Sequence, residues 1–268
     1  MKRMIYLLVL FTACSPSMDS LEYAIRGSAK ADEKNYRGAL EDFDISIAGS
    51  SNDSGAFEGR ALCKEKLGDI AGAIKDFDQS VIIYHSQNPT KMYLYLDRGS
   101  FRERIKDYNG AMDDYNTALK YMANENGAPL YRRGLLKALQ SDFKGAIEDY
   151  NEVFKYNIYK YKLEEVYYSR GKAYLEIQNY NSAIADFNKA LELDPYYINT
   201  LTYRGLTKAK MNDFKGAIQD YDRAIYLDDE NSFAYKCRGD AYNSLGKSEN
   251  ANANWKKAKD LDKAAKQK

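Results

Sequence analysis

The chain is 268 residues long, 44% hydrophobic and 29% charged, with 25 Tyr and 10 Phe but one Trp and one His. Its 40 basic and 39 acidic residues leave a formal net charge of +1, so no overall field draws it to nucleic acid or to an anionic surface. A single His and 3 Cys are too few to build a metal site or a histidine-based triad, and no glycine-rich phosphate loop is present; an enzyme, a metal and a cofactor are not expected.

In chain order, the first element is MKRMIYLLVLFTACS: two cations, Lys2 and Arg3, an apolar run from Met4 to Phe11, then Thr12, Ala13 and Cys14. This is the charged, apolar and small-residue layout of an export signal. The run is far shorter than the ~20 residues a membrane span needs. With a small residue ahead of Cys14, the segment resembles a bacterial lipoprotein signal. The resemblance implies a signal over residues 1–13, a lipid on Cys14 and a polar tether over residues 14–20. The membrane would then hold the protein through its lipid anchor in a bacterial cell envelope, the outer membrane ahead of the inner. A plain cleaved signal would instead give a periplasmic or secreted protein without lipid.

Residues 21–268 repeat themselves, with Arg-Gly recurring at Arg26-Gly27, Arg98-Gly99, Arg133-Gly134, Arg170-Gly171, Arg204-Gly205 and Arg238-Gly239, and Arg60-Ala61 in the second place. The Arg spacings are 34, 38, 35, 37, 34 and 34, which signals an array with units starting near 21, 55, 93, 128, 165, 199 and 233. Twelve residues after the Gly slot stands Ala in every unit, Ala183 in the fifth. Sixteen after it stands a ring: Phe43, Phe77, Tyr115, Tyr150, Phe187, Tyr221 and Trp255. Small residues on facing helices let the backbones approach, and the ring fills the hole beside them. Tyr167, Gly171, Tyr174 and Leu175 form one helical stripe and Ala183, Ile184, Phe187, Ala190 and Leu191 a second, separated by the polar turn Gln178-Asn179.

This register resembles the tetratricopeptide repeat, whose pattern is matched by Tyr167, Gly171, Tyr174, Ala183, Phe187, Ala190 and Pro195. The resemblance implies an all-α fold, a right-handed superhelical solenoid of about seven helix-turn-helix units. It implies a scaffold that binds a protein or peptide partner in a groove lined by the first helix of each unit. Carried onto this sequence, the groove positions include Tyr93, Leu96, Tyr131, Leu135, Tyr168, Lys172, Leu175 and Leu206. They either form a binding strip or complete the helix packing. The family's clamp for chaperone C-terminal carboxylates is not reproduced, because Lys236 has Asp240 in its partner slot. The second aromatic slot holds Lys30, Lys64, Arg102, Lys137 and Lys208, which makes the space between helices more cationic than the usual pattern.

Fifteen residues after the Gly slot come Asp42, Asp76, Asp114, Asp149, Asp186 and Asp220, then Asn254. Recurring Arg and Asp predict a ladder of structural ion pairs. Because the exception, Asn254, lies in the unit without a successor, each Asp is expected to pair with the Arg of the following unit. Extra residues in three consecutive connectors, ending YHSQNPTK, YMANENGAP and KYNIYKYKLEE, are expected to extend loops on one side. In the last of these, Tyr156, Tyr159, Lys160 and Tyr161 interleave rings and cations. They read either as a patch for an acidic partner or a glycan, or as a lengthened core stripe with a wet lysine face. The glycan option gives an alternative function, an envelope carbohydrate-binding accessory protein. His85 is expected in a solvated loop, and Cys63 and Cys237, in the second and seventh units, as free buried thiols. The polar run NANANWKKAKD fits an end cap.

Overall fold

The computed structural model describes residues 16–87, 93–121, 127–156 and 163–266, which form fourteen helices and no strand. The chain divides into two compact units, Met1–Ala123 and Asn124–Lys268. The first contains α1 (Pro16–Asp32), α2 (Tyr36–Gly49), α3 (Ser54–Lys66), α4 (Ile70–Gln87), α5 (Tyr93–Arg104) and α6 (Tyr108–Tyr121). The second contains α7 (Ala128–Leu139), α8 (Phe143–Val153), α9 (Leu163–Glu176), α10 (Tyr180–Leu193), α11 (Ile198–Lys210), α12 (Phe214–Leu227), α13 (Ser232–Ser244) and α14 (Ser248–Ala265). Each odd-numbered helix packs most extensively on the even-numbered helix that follows it. The architecture in each unit is the helix-pair stack expected of the repeat.

Local chemistry sets the turns. Residues at the tight turn take left-handed backbone angles, at Lys34, Lys106, Ser141, Gln178 and Asn212 as well as at Gly68 and Gly246. The next helix then opens on a side-chain cap: Asn35, Asp69, Asp107, Asp142, Asn179 and Asp213 each accept from the amide three residues on. Such caps satisfy an amide that the helix itself leaves unpaired. Five of those six amides belong to Gly, since a Cβ at Gly72, for example, would fall 2.1 Å from Asp69 Oδ2.

Between the helices of a pair, the Gly slot and the ring slot meet. A Cβ on Gly171 would stand 2.7 Å from Cε1 of Phe187, and one on Gly99 2.6 Å from Cε1 of Tyr115. Gly134, Gly205 and Gly239 meet Tyr150, Tyr221 and Trp255 in the same way, whereas Gly27 is looser, at 3.1 Å from the Phe43 ring. Ala183 and Phe187 are completely buried. Trp255 stays partly exposed and donates its indole N–H to Asp240 at 2.8 Å.

The ion-pair ladder exists, but its connectivity differs from the sequence expectation. Each Arg pairs with the Asp of its own unit, as in Arg60 Nη2 to Asp76 Oδ1 at 2.7 Å and Arg170 Nη2 to Asp186 Oδ1 at 2.7 Å. The last unit does the same with Asn254, which accepts from Arg238 Nε at 2.8 Å. The bridge between repeats is made by the other guanidinium nitrogen, which reaches back to the residue two beyond the preceding Asp: Arg60 to Asp44, Arg98 to Asp78, Arg170 to Asn151, Arg204 to Asn188 and Arg238 to Asp222. A planar fork with five donors can serve both neighbours at once.

The cations in the second aromatic slot are bound into the same ladder. Lys30, Lys64, Lys137 and Lys208 place Nζ 2.8–2.9 Å from the buried Asp of their own unit, and Arg102 does so through Nη1 at 2.9 Å. They therefore neutralise buried carboxylates and add little free positive surface. Two units keep Tyr in this slot, Tyr174 and Tyr242, and their acceptors are Asp186, which among the described residues pairs with Arg170 alone, and the neutral Asn254.

Two expected loops are helix. Residues 16–20, expected as tether, lie in α1. His85 lies in the last turn of α4, exposed and 5.6 Å from the Tyr121 ring, because the apolar run Val81-Ile82-Ile83 carries that helix onward. Cys63 and Cys237 are free and buried, as expected, and burial raises both thiols, Cys237 to about 11.

Overpacking at the Gly slot should cost about 1–3 kcal/mol in Gly171→Ala and visibly less in Gly27→Ala, measured by thermal denaturation. Equal melting temperatures for the two variants would contradict the packing described. Asp220→Asn leaves Arg204 and Lys208 facing a neutral amide and should cost about 3 kcal/mol. Asp186→Asn should cost nearer 1 kcal/mol, because the last unit already holds an Arg–Asn pair beside Tyr, and urea denaturation of the two variants measures the difference.

Candidate partner-binding surface

In the second unit the first helices of successive pairs bring a set of rings together. Tyr168 on α9 has its ring centroid 5.1 Å from Tyr197, in the turn before α11, and 5.6 Å edge-on from Tyr203 on α11. Tyr203 in turn lies 5.9 Å from Phe233 on α13, which is 42% exposed. Offset and edge-on contacts of this kind suit the ring quadrupoles and hold the rings in place. Lys172, one position past Gly171, sets Nζ 5.0 Å from the Tyr203 centroid and 5.5 Å from that of Tyr168. It makes no ion pair among the described residues. A cation over two ring faces is attracted by their electron density, yet it keeps its donors available.

The adjoining part of this surface is built by Tyr131 on α7, whose hydroxyl shares a hydrogen bond of 3.3 Å with Ser169. Burial pushes the phenols of Tyr168 and Tyr131 up, and Tyr197 to about 12, so all three stay neutral at physiological pH. Leu135 and Leu206 are half-buried, while Leu175, 8% exposed, serves helix packing and offers little surface.

The first unit presents a different chemistry. Tyr93 is 53% exposed but Leu96 is buried, at 9%. Glu58 on α3 hydrogen-bonds with Asp97 on α5, and burial first, then the Asp97 charge, pushes the Glu58 carboxyl up to about 7. Nearby, Arg104 on α5 closes a bidentate pair with Glu65 on α3 at 2.6 and 2.7 Å. Of these two acidic side chains on α3, Glu58 shares a proton and Glu65 is neutralised.

Of the remaining candidates, Tyr156 is half-buried just past α8, and Cys14, Tyr159, Lys160 and Tyr161 lie outside the described residues. Tyr197, Tyr203 and Phe233 were not singled out from the sequence. Tyr203 occupies a slot held by Ser169 and Cys237 in the neighbouring units, so the period gives no signal for it. Among the described residues no three His, Cys, Asp or Glu side chains group as a metal site, and no helix is long and apolar enough to cross a membrane.

Comparison with known proteins agrees with this geometry. Family models for the tetratricopeptide repeat match residues 164–197 and 202–231, which are tetratricopeptide repeats. Sperm-associated antigen 1 of Rattus norvegicus is 30% identical over 179 residues, covering 66% of this chain and 18% of its own length. The chain thus spans under a fifth of that relative. A tetratricopeptide repeat protein from Parabacteroides merdae superposes with a TM-score of 0.69 at 17% identity, over 91% of this chain and 94% of its own. YrrB, a tetratricopeptide repeat protein with an unusual peptide-binding site, superposes at 0.56 and 19% identity, over 72% of this chain and 95% of its own. At such identities the likeness is one of fold.

The Glu58 pair makes stability pH-dependent in a definite direction. A carboxyl raised to about 7 in the folded state holds a proton that the unfolded chain, titrating near 4.5, has already released. Its contribution to stability is therefore full below pH 4.5 and is lost as pH rises through 7. Glu58→Gln should raise stability by about 1 kcal/mol at alkaline pH and leave it unchanged in acid. Denaturation midpoints of both proteins across that range provide the check; parallel curves would contradict the shared proton.

Proposed function

We propose that this chain is a scaffold that captures a protein or peptide partner on the ring-lined face of α7, α9 and α11. We further propose that a lipid on Cys14 holds it to a bacterial envelope membrane, the outer membrane by preference. The observation that carries the binding reading is the set Tyr168, Tyr203, Phe233 and Lys172: rigid rings, partly open to solvent, around a cation without a carboxylate partner among the described residues. Rings held by other rings lose little entropy on binding, and hydroxyls at their edges give direction. A partner segment with an apolar residue next to an acidic one suits this face. The membrane reading is supported by the order of cations, apolar run, small residue and Cys14 at the head of the sequence.

A glycan-binding reading keeps support from a second place. Tyr196 and Tyr226 are 65% and 78% exposed, and the Arg223 guanidinium lies 5.9 and 5.3 Å from their centroids. Open ring faces beside a fixed donor suit the apolar face and hydroxyls of a sugar.

Photo-crosslinking in cells separates these readings, with the probe placed singly at Tyr131, Tyr168 and Tyr226 and at the exposed control Lys259. Capture of one protein from positions 131 and 168 alone is the expected result. Capture from position 226 alone, or of no protein at any position, would replace the scaffold reading with the glycan one.

A further inference from the structure

Within each compact unit, a repeat that follows another buries the face of its first helix that looks back at it. In the second repeat, Ala56 and Cys63 pack against Ala39 and Phe43 of the first. Their counterparts elsewhere are equally covered: Thr200 and Thr207 on α11 are 0% exposed, and Ala234 on α13 is 0%. Thirty-four residues earlier, on α1, the same slots hold Glu22 and Ala29, and both are exposed. Beside them Leu21 and Ile25, one helical turn apart, are 59% and 62% exposed; the slot of Ile25 is buried in later repeats, as at Ser169 and Cys237, whereas that of Leu21 stays open there too, at Tyr93 and Phe233, on the edge of the groove. The other end of the array is finished differently. The last helix, α14, exposes Asn252, Lys256 and Lys257 and so resembles a polar cap. One end is closed by polar side chains, and the other presents two large aliphatic ones.

The covalent chain says what lies next to that open face. α1 starts at Pro16, and only Ser15 separates it from Cys14. Two residues of fully extended chain reach about 7 Å, and the five-residue rise from Pro16 to Leu21 adds about 8 Å. A lipid on Cys14 therefore brings Leu21 within about 15 Å of the acyl anchor, comparable to the depth of an interfacial layer plus the immersion of an amphipathic helix face. Residues 16–20 of the expected tether, which would have held the array away from the membrane, are part of the helix.

We infer that the uncovered face of α1, through Leu21 and Ile25, rests on the lipid bilayer that holds the Cys14 anchor. This rests on the lipidation proposed above. Glu22 on the same face and the exposed Arg26, tied to Asp42 at 2.6 Å, hold the contact at headgroup depth, with the two aliphatic side chains directed toward the acyl boundary. The bilayer then covers the exposed aliphatic side chains of α1. It also fixes the orientation of the first unit, because a helix lying on the surface cannot swivel about a single acylated residue.

The test uses the full acylated chain in vesicles of phosphatidylethanolamine and phosphatidylglycerol. An environment-sensitive fluorophore is attached at Leu21→Cys, Ile25→Cys or Ile82→Cys, the last an equally exposed position on α4, and the unsubstituted protein is the blank for the buried thiols. Quenching by brominated lipid several-fold stronger at positions 21 and 25 than at 82, and abolished at position 21 by a further Ile25→Glu, is the expected result. Equal quenching at all three positions in protein that floats with the vesicles would overturn the contact while leaving lipidation standing. Absence of an acyl mass on Cys14 together with failure to float would overturn both. Emission shifted at 21 and 25 without bromolipid quenching, with a doubled mass in solution, would assign the face to a second copy of the chain.

Discussion

The bidentate Arg of each repeat is the interaction on which the rest of the structure depends. At Arg60, Arg98, Arg170 and Arg204 it holds a nearly dry carboxylate in its own repeat and, with its remaining nitrogen, an oxygen of the repeat before it. A buried Asp is costly unless it is paired and hydrogen-bonded, so this geometry leaves little freedom in how one helix pair sits on the next. Its electrostatics vary along the array. In the first repeat the Arg26 hydrogen bond holds Asp42 at about 2, whereas burial outweighs the Arg98 bond and pushes Asp114 up. Wherever the second slot carries Lys or Arg the Asp is doubly paired, and where it carries Tyr the acceptor is singly paired or neutral.

That pairing shapes the binding surface by subtraction. Cations that seemed to enrich the space between helices are consumed by buried carboxylates, and Arg104 and Glu65 neutralise each other. Outside the ladder lie Lys172, over its two rings in the second unit, and the proton-sharing Glu58 and Asp97 in the first. The two units thus offer faces of different chemistry, one of rings with an unpaired cation and one of carboxyls.

Much of the fold was legible because it is periodic. Seven copies of Arg, Gly or Ala, and a ring at constant offsets expose the helix pair, the slot in which the Gly meets the ring, and the existence of ion pairs. The partner of each Arg was not legible. Asn254 suggested a link to the following repeat, yet Asn254 accepts from its own Arg238; the real link is made by residues such as Asp44, Asn151 and Asp222, whose variation between Asp and Asn hid them. The ring cluster was half legible: Tyr168 and Lys172 follow from the register, whereas Tyr197 lies in a turn and Tyr203 in a slot that changes from unit to unit.

The sequence by itself determined the fold class, the number of repeats and the core slots, because a helix pair recurring at a constant period can bury its stripes only against its own neighbours. It also pointed to free thiols for the two Cys of the array, which fall in the second and seventh repeats of a stack whose repeats meet their neighbours. Only the tertiary structure decided which oxygen each guanidinium reaches, which Tyr rings meet, and that α1 begins at Pro16 with Leu21 and Ile25 left open. Those outcomes depend on distances between side chains far apart in the chain, and on burial raising or lowering a charge, which periodicity along one strand of sequence does not encode.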